Sequence, residues 1–233
     1  MIRLDARLRA AFDLLQGAKA VADIGCDHGK LAAALLLEGG CERVVAGDIS
    51  PDCLNKARRL LEERGLSDRA QVRLGSGLSI LLPGECDAGA ILGMGGELIA
   101  ELLAASEDVA AQMERLVLQP MSGIEELRQW LYENRFCVLA DRLVTEKRRT
   151  YQILCVRKAK ARDPWPQGFP EGCFLVGYRA FLDREPGLFA YCQAQLHKRA
   201  DRLKQAQGTG GEERLQREIE QLQTILEGIE AWN

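Results

Sequence analysis

Val21-Ala22-Asp23-Ile24-Gly25-Cys26-Asp27-His28-Gly29 is the stretch on which the reading of the fold turns. It closes a short apolar run over 20–24, breaks at a glycine turn, and leads into a helical pattern over 29–38. A glycine turn between strand and helix lets a ligand approach the backbone, and the helix N-terminus favours a carboxylate or phosphate. The dinucleotide pattern Gly-x-Gly-x-x-Gly is not present. Instead, an acid stands two residues before Gly25 and a second glycine four residues after it. The plain structural alternative is an ordinary turn in which Asp27 caps the helix.

Outward from this stretch, strand and helix patterns alternate. β-type runs fall at 20–24, 43–47, 71–74, 88–92, 115–119, 137–144 and 151–156, and helical spacing at 2–16, 29–38, 52–64, 96–112 and 123–134. Gly39-Gly40 and Gly65 stand where helices should end, and Ser50-Pro51 where one should begin. Alternation of this kind predicts an α/β fold with a parallel, doubly wound sheet. The last two runs are separated only by the charged turn 145–149 and predict an antiparallel hairpin. Pro164, Pro166 and Pro170 mark a linker or ordered loop. Beyond it come helical patterns over 174–206, interrupted near Pro186-Gly187, and over 212–230, where Leu215, Ile219, Leu222, Leu226 and Ile229 form a seam. The expected organisation is residues 1–160 as the sheet domain, and 161–233 as a linker and C-terminal antiparallel, coiled-coil-like helical hairpin.

Composition narrows the class. With 47% apolar and 28% charged residues among 233, the chain has the profile of a globular protein. No apolar run reaches the ~18 residues of a membrane span, and Met1-Ile2-Arg3-Leu4-Asp5 lacks a signal-peptide core, so no membrane association and a cytoplasmic location are expected. The eight cysteines are scattered without a Cys-x-x-Cys pair and read as reduced thiols. Two histidines in all leave no basis for a His-rich metal site. The net charge of −3 leaves a nucleic-acid partner open.

Three further segments carry chemistry. Asp48, in Ala46-Gly47-Asp48-Ile49-Ser50, ends the second strand about 20 residues after the glycine turn, where a carboxylate can hold both ribose hydroxyls. A nicotinamide site would use such an acid too, and capping of the next helix is the alternative. Gly75-Ser76-Gly77-Leu78 follows the third strand. Gly93-Met94-Gly95-Gly96 follows the fourth, at the switch point where doubly wound sheets bind ligands. The fifth strand ends in Gln119-Pro120.

The first segment is similar to the Asp/Glu-x-Gly-x-Gly-x-Gly loop of S-adenosylmethionine (SAM) methyltransferases, with Asp27 at the central glycine. Asp-Ile-Gly-x-Asp-His, Ala-Gly-Asp-Ile, Gly-x-Gly-Leu, Gly-Met-Gly-Gly and Leu-Gln-Pro occur here in one order and spacing. With Leu4-x-x-Arg7-Leu8, Thr150-Tyr151-Gln152-Ile153-Leu154 and the helical C-terminus, the set resembles the bacterial tRNA (adenine-22-N1)-methyltransferase family, TrmK, over nearly the whole chain. Two departures stand out: Ser76 replaces the Asp of the family's Gly-Asp-Gly-Leu, and Gly29-Lys30 stands where some members have Ala-Tyr.

The resemblance implies a Rossmann-like class I methyltransferase domain, SAM as cofactor, and N1 of a D-arm adenosine in tRNA as acceptor, with the C-terminal helices helping to hold the tRNA. Asp23 would receive the SAM ammonium group and loop N–H groups its carboxylate. The cofactor set becomes Asp23, Gly25, Cys26, Asp27, His28, Asp48, Ile49, Ser76, Gly77, Gly93 and Gln119. Asp27, Gly93, Met94, Gly95 and Gly96 would surround the reacting atoms, with Asp27 stabilising positive charge. Arg7, His28, Tyr151, Arg148 and Arg149 would contact substrate, Tyr151 by stacking on a base. Basic clusters at Arg3/Arg7/Arg9, Arg142/Lys147–Arg149, Arg157/Lys158/Lys160/Arg162 and Lys198/Arg199/Arg202/Lys204 are candidate phosphate contacts. A monomer without a metal is expected. Two rival readings stay open: a SAM methyltransferase acting on a small molecule or protein, and a non-catalytic SAM- or RNA-binding module.

Overall fold

A computed structural model describes residues 2–147, 149–205 and 211–232. The chain forms two compact units, Met1–Arg162 and Asp163–Asn233.

In the first unit the helix α1 (Ala6–Leu15) precedes β1 (Ala20–Ile24), α2 (Lys30–Glu38), β2 (Arg43–Asp48), α3 (Pro51–Glu63) and β3 (Ala70–Leu74). Then come β4 (Ala88–Gly95), α4 (Gly96–Ala105), α5 (Glu107–Ala110), β5 (Arg115–Ser122), α6 (Ile124–Glu133) and the hairpin β6 (Phe136–Glu146) and β7 (Arg149–Lys158). The strands form one sheet in the order β3-β2-β1-β4-β5-β7-β6. The first five are parallel, and β7 runs antiparallel between β5 and β6.

All five residues of β1 are buried, as a central parallel strand covered on both faces requires. On one face Phe12 and Leu15 of α1 join Leu31 and Leu35 of α2 and Leu54 and Leu61 of α3. On the other, Ile99 and Leu103 of α4 and Leu127 and Leu131 of α6 pack on Ile91, Leu116 and Leu118. Ser50 caps α3 by accepting from Cys53 N–H, and Pro51 takes its first position. Arg115 donates to the carbonyls of Leu14 and Gln16, tying the end of α1 to the base of β5.

Several elements depart from expectation. The pattern over 96–112 is two helices, broken at Ser106. β4 does not stop at Leu92. It continues to Gly95, with Met94 opposite Pro120 and Gly95 opposite Ser122, while Gly93 opposes no residue and forms a bulge. The hairpin stays paired up to Glu146 and Arg149, so the turn is tighter than 145–149.

The second unit holds α7 (Tyr178–Leu182), α8 (Leu188–Gln205) and α9 (Glu212–Glu230). The interruption expected near residue 187 is present. α8 and α9 form an antiparallel pair: Arg199 bonds Glu218, and Trp232, just past α9, packs on Phe181 just ahead of α8. The buried seam of α9 is Leu222, Ile225 and Ile229, with Leu215, Ile219 and Leu226 only partly covered. No helix among the described residues is long and apolar enough to cross a membrane. All eight cysteines are free thiols, six of them buried.

Candidate functional site

The C-terminal ends of β1, β2, β4 and β5 border a cleft of about 730 Å³. Its loop after β1 is pinned to β2. Gly25 and Cys26 both donate their N–H to Gly47 O, at 2.8 and 3.0 Å. Asp27 N–H donates to Asp48 Oδ2 at 3.2 Å, and Ser50 N–H to Asp48 Oδ1 at 2.9 Å. The loop N–H groups expected to meet a ligand carboxylate are thus engaged within the protein at residues 25–27. Lys30 and Leu31, in the first turn of α2 where N–H groups lack an intrahelical acceptor, line the cleft and can serve that task. Gly29 is the N-cap of α2 and no side chain caps it, so Asp27 is not the cap.

Asp23 lines the cleft yet is only 4% exposed, and its Oδ2 has no hydrogen-bond partner. Burial, opposed in part by the Ala32 backbone N–H and aided by the Asp48 charge, pushes its carboxyl up to about 7. A buried, unsatisfied carboxylate oxygen is costly, and a cationic donor bound in the cleft would satisfy it.

Asp27 adopts φ +47°, a left-handed conformation that Asp tolerates better than most residues. Its Oδ2 lies 2.7 Å from His28 Nδ1, and its Oδ1 accepts from Cys53 Sγ at 3.6 Å. Partial burial raises the Asp27 carboxyl, but the hydrogen bond and charge of His28, with Cys53 and Lys56, outweigh it and hold the group below its ordinary value. The result is an ionised carboxylate beside an imidazole, both open to the cleft.

Within Gly93–Gly96 only Gly93 and Met94 line the cleft. A Cβ on Gly96 would stand 2.1 Å from Gly123 O, so Gly96 is there for the close approach of α4 to the turn before α6. Gly95 faces Ser122 in the ladder. Ser76 and Gly77 lie outside the cleft lining. Ser76 is exposed, and Gly77 packs under Leu102 of α4. Ile49 lines the cleft and is 73% exposed.

Gln119 departs most from expectation. It is fully buried, its Oε1 accepts from Arg7 Nη1 at 2.8 Å, and its Nε2 donates to Pro120 O. Its polar atoms serve the protein interior, not a ligand. Arg7 thereby reaches Gly93, where a Cβ would meet Arg7 Nη1 at 3.3 Å. Tyr151 also lines the cleft, with Arg7 and Arg149 over its ring. Arg148 lies outside the described residues. Sequence reasoning missed Leu98, in the first turn of α4, and Met121, near the end of β5, two exposed apolar side chains that line the cleft. They share one cleft only once β4 and β5 pair and α4 follows the bulged end of β4.

The basic clusters do not all face solvent as cations. Arg199 is buried against Glu218, Lys158 pairs with Glu107, and Arg162 donates to Glu133 O. Among the described residues no group of three or more metal-ligating side chains occurs.

The methyltransferase-domain family matches residues 4–154, a span that includes every residue lining the cleft. The tRNA (adenine(22)-N(1))-methyltransferase of Bacillus subtilis is 35% identical over 185 residues, covering 79% of this chain and 76% of that protein. The chain belongs to the tRNA (adenine(22)-N(1))-methyltransferase family. Solved structures agree with that membership. Bacillus subtilis TrmK superposes with a TM-score of 0.80 at 28% identity, covering 99% of both chains. A Streptococcus pneumoniae protein, solved in complex with S-adenosyl-L-methionine, superposes with a TM-score of 0.83 at 25% identity, covering 96% of this chain and all of that one.

Proposed function

We propose that this protein transfers the methyl group of SAM to N1 of adenosine 22 in tRNA, acting in the cytoplasm. The observation that carries the reading is Asp23 Oδ2, buried and without a donor at the edge of a cleft whose family relatives act as SAM-dependent tRNA methyltransferases. SAM fits these residues: its ammonium group would supply the missing donor to Asp23. When bound, SAM supplies an electrophilic methyl on a sulfonium. Asp48 would hold the ribose hydroxyls: each of its oxygens accepts one backbone N–H and keeps acceptor capacity. Ile49, exposed in the cleft beside Asp48, would offer an apolar surface to the cofactor. Gly25, Cys26 and His28 line the same channel.

Adenine N1 carries its own lone pair, so no base is needed, and the methylated ring is a cation. The task of the chain is positioning and electrostatic support. Asp27, kept ionised by His28, stabilises the charge that develops on the ring. Gly93 and Met94 border the acceptor slot, and the target nucleoside must leave its stack to enter. Incubation with labelled SAM and unmodified bulk tRNA, followed by mapping of the modified base, tests the reading. Label at N1 of a D-arm adenosine is expected, and label at another base or on no tRNA overturns it.

A further inference from the structure

Arg7 and Arg149 converge on one aromatic ring. Arg7 Cζ lies 6.0 Å and Arg149 Cζ 5.2 Å from the centroid of Tyr151. They come from opposite ends of the first unit's sequence, one from α1 and one from the first residue of β7. Like charges brought together need something to hold them. Here the acceptors are neutral: Gln119 Oε1 for Arg7, and Met121 O for Arg149 Nη2 at 3.1 Å. Neutral acceptors orient a guanidinium without cancelling its charge. Among the described residues the carboxylate in ion-pair range is Asp5, 4.0 Å from Arg7, and its other oxygen already accepts Leu8 N–H at 2.7 Å. Elsewhere in the unit, by contrast, Arg73 and Lys158 each contact a carboxylate directly. Positive charge is therefore left over at this edge, and Arg7, Met121 and Tyr151 all line the cleft.

We infer that Arg7 and Arg149 form a phosphate clamp for the nucleotide presented to the cleft, with Tyr151 as the spacer between them and Gln119 as the positioning residue for Arg7. A planar guanidinium takes phosphate oxygens in pairs, and the ring face beneath it adds cation–π attraction. The inference rests on the tRNA reading and deepens it. The group held here is the backbone phosphate beside the target nucleoside. Tyr151, whose ring already carries two guanidinium groups, is not a platform for a base.

The test uses the full chain without SAM and fluorescently labelled unmodified tRNA, with anisotropy followed from about 50 to 200 mM salt. R149Q and R7Q should each weaken binding roughly tenfold at low salt and lower the log–log salt slope by about 0.7 to 0.9, one phosphate contact's worth. Q119M should weaken binding less than R7Q and add nothing in the R7Q background. SAM affinity of R149Q, measured by calorimetry, should stay within about twofold of the parent, which separates a lost RNA contact from a damaged fold. An R149Q slope equal to the parent's overturns the clamp. So does a Tyr151→Leu variant that loses tRNA affinity with its salt slope unchanged, because that is stacking. Should the parent chain bind no tRNA, the clamp and the proposed function fall together. Should the parent bind and methylate while R149Q matches it, only the clamp falls.

Discussion

A Cβ on residue 25 would stand 2.5 Å from Met94 Cε, so the turn after β1 and the bulged end of β4 meet where only a glycine fits without adjustment. Gly25 also has φ +72°, where an L side chain costs about 1–2 kcal/mol. Gly25→Ala should lower thermal stability by about that amount and reduce SAM affinity. Adding Met94→Ala should relieve the contact but not the backbone cost. Full recovery of stability in the double variant would show that the methionine contact alone excludes a side chain.

Asp23 gives a pH dependence with a definite sign. Its folded-state carboxyl sits at about 7, against an ordinary value of 3.8. Between those values the folded chain binds a proton that the unfolded chain has lost, so stability without ligand falls as pH rises through this window. Asp23→Asn should remove that fall and leave the ligand-free protein more stable than the parent at pH 8. The same substitution should lower SAM affinity about 100-fold, since a hydrogen bond between charged groups is lost. In the parent, SAM affinity should climb as pH rises towards about 7. Calorimetric titration at several pH values checks both, and a flat profile for the parent would remove Asp23 from the ammonium site.

Asp27→Asn and Asp27→Ala separate charge from backbone shape. Asn keeps the tolerance for φ +47°, whereas Ala does not. Loss of the carboxylate should reduce kcat on tRNA about 100-fold in both, with SAM affinity nearly unchanged in the Asn variant. Equal losses of kcat and SAM affinity in Asp27→Asn would make the residue a support of the loop and nothing more.

Arg128 of α6, 6% exposed, donates to Asp141 of β6 at 2.9 Å and to Gln152 of β7 at 2.5 Å. Arg128→Met leaves the buried Asp141 charge without this partner and should destabilise the protein by about 3–5 kcal/mol. Pairing it with Asp141→Leu should recover much of the loss. Denaturant unfolding of the two variants measures the difference.

Much of the fold follows from local signals. The strand positions, the start of α3 at Ser50-Pro51 and the β6–β7 hairpin all follow from periodicity and from what proline, glycine and charged turns permit. Candidate site residues at strand ends were legible for the same reason: Asp23 and Asp48 stand where apolar runs stop, and both reach the cleft. Residues whose partners are far away in sequence were not. Gln119 at a strand end looks like a ligand contact until α1 brings Arg7 to it across 112 positions. Gly96 looks like part of a catalytic loop until Gly123 is seen against it, and Arg199 looks like a surface cation until α9 buries it on Glu218.

The sequence by itself determined the order of strands and helices, the glycine turns and the acids at the ends of β1 and β2, because backbone propensity and side-chain period act over a few residues. Only the tertiary structure decided that Met94 closes over Gly25, that Asp23 loses its water without gaining a full set of donors, and that Arg7 and Arg149 share one ring. Those outcomes depend on which strands become neighbours and on how closely the helices press against them, and burial and electrostatics are set by that packing.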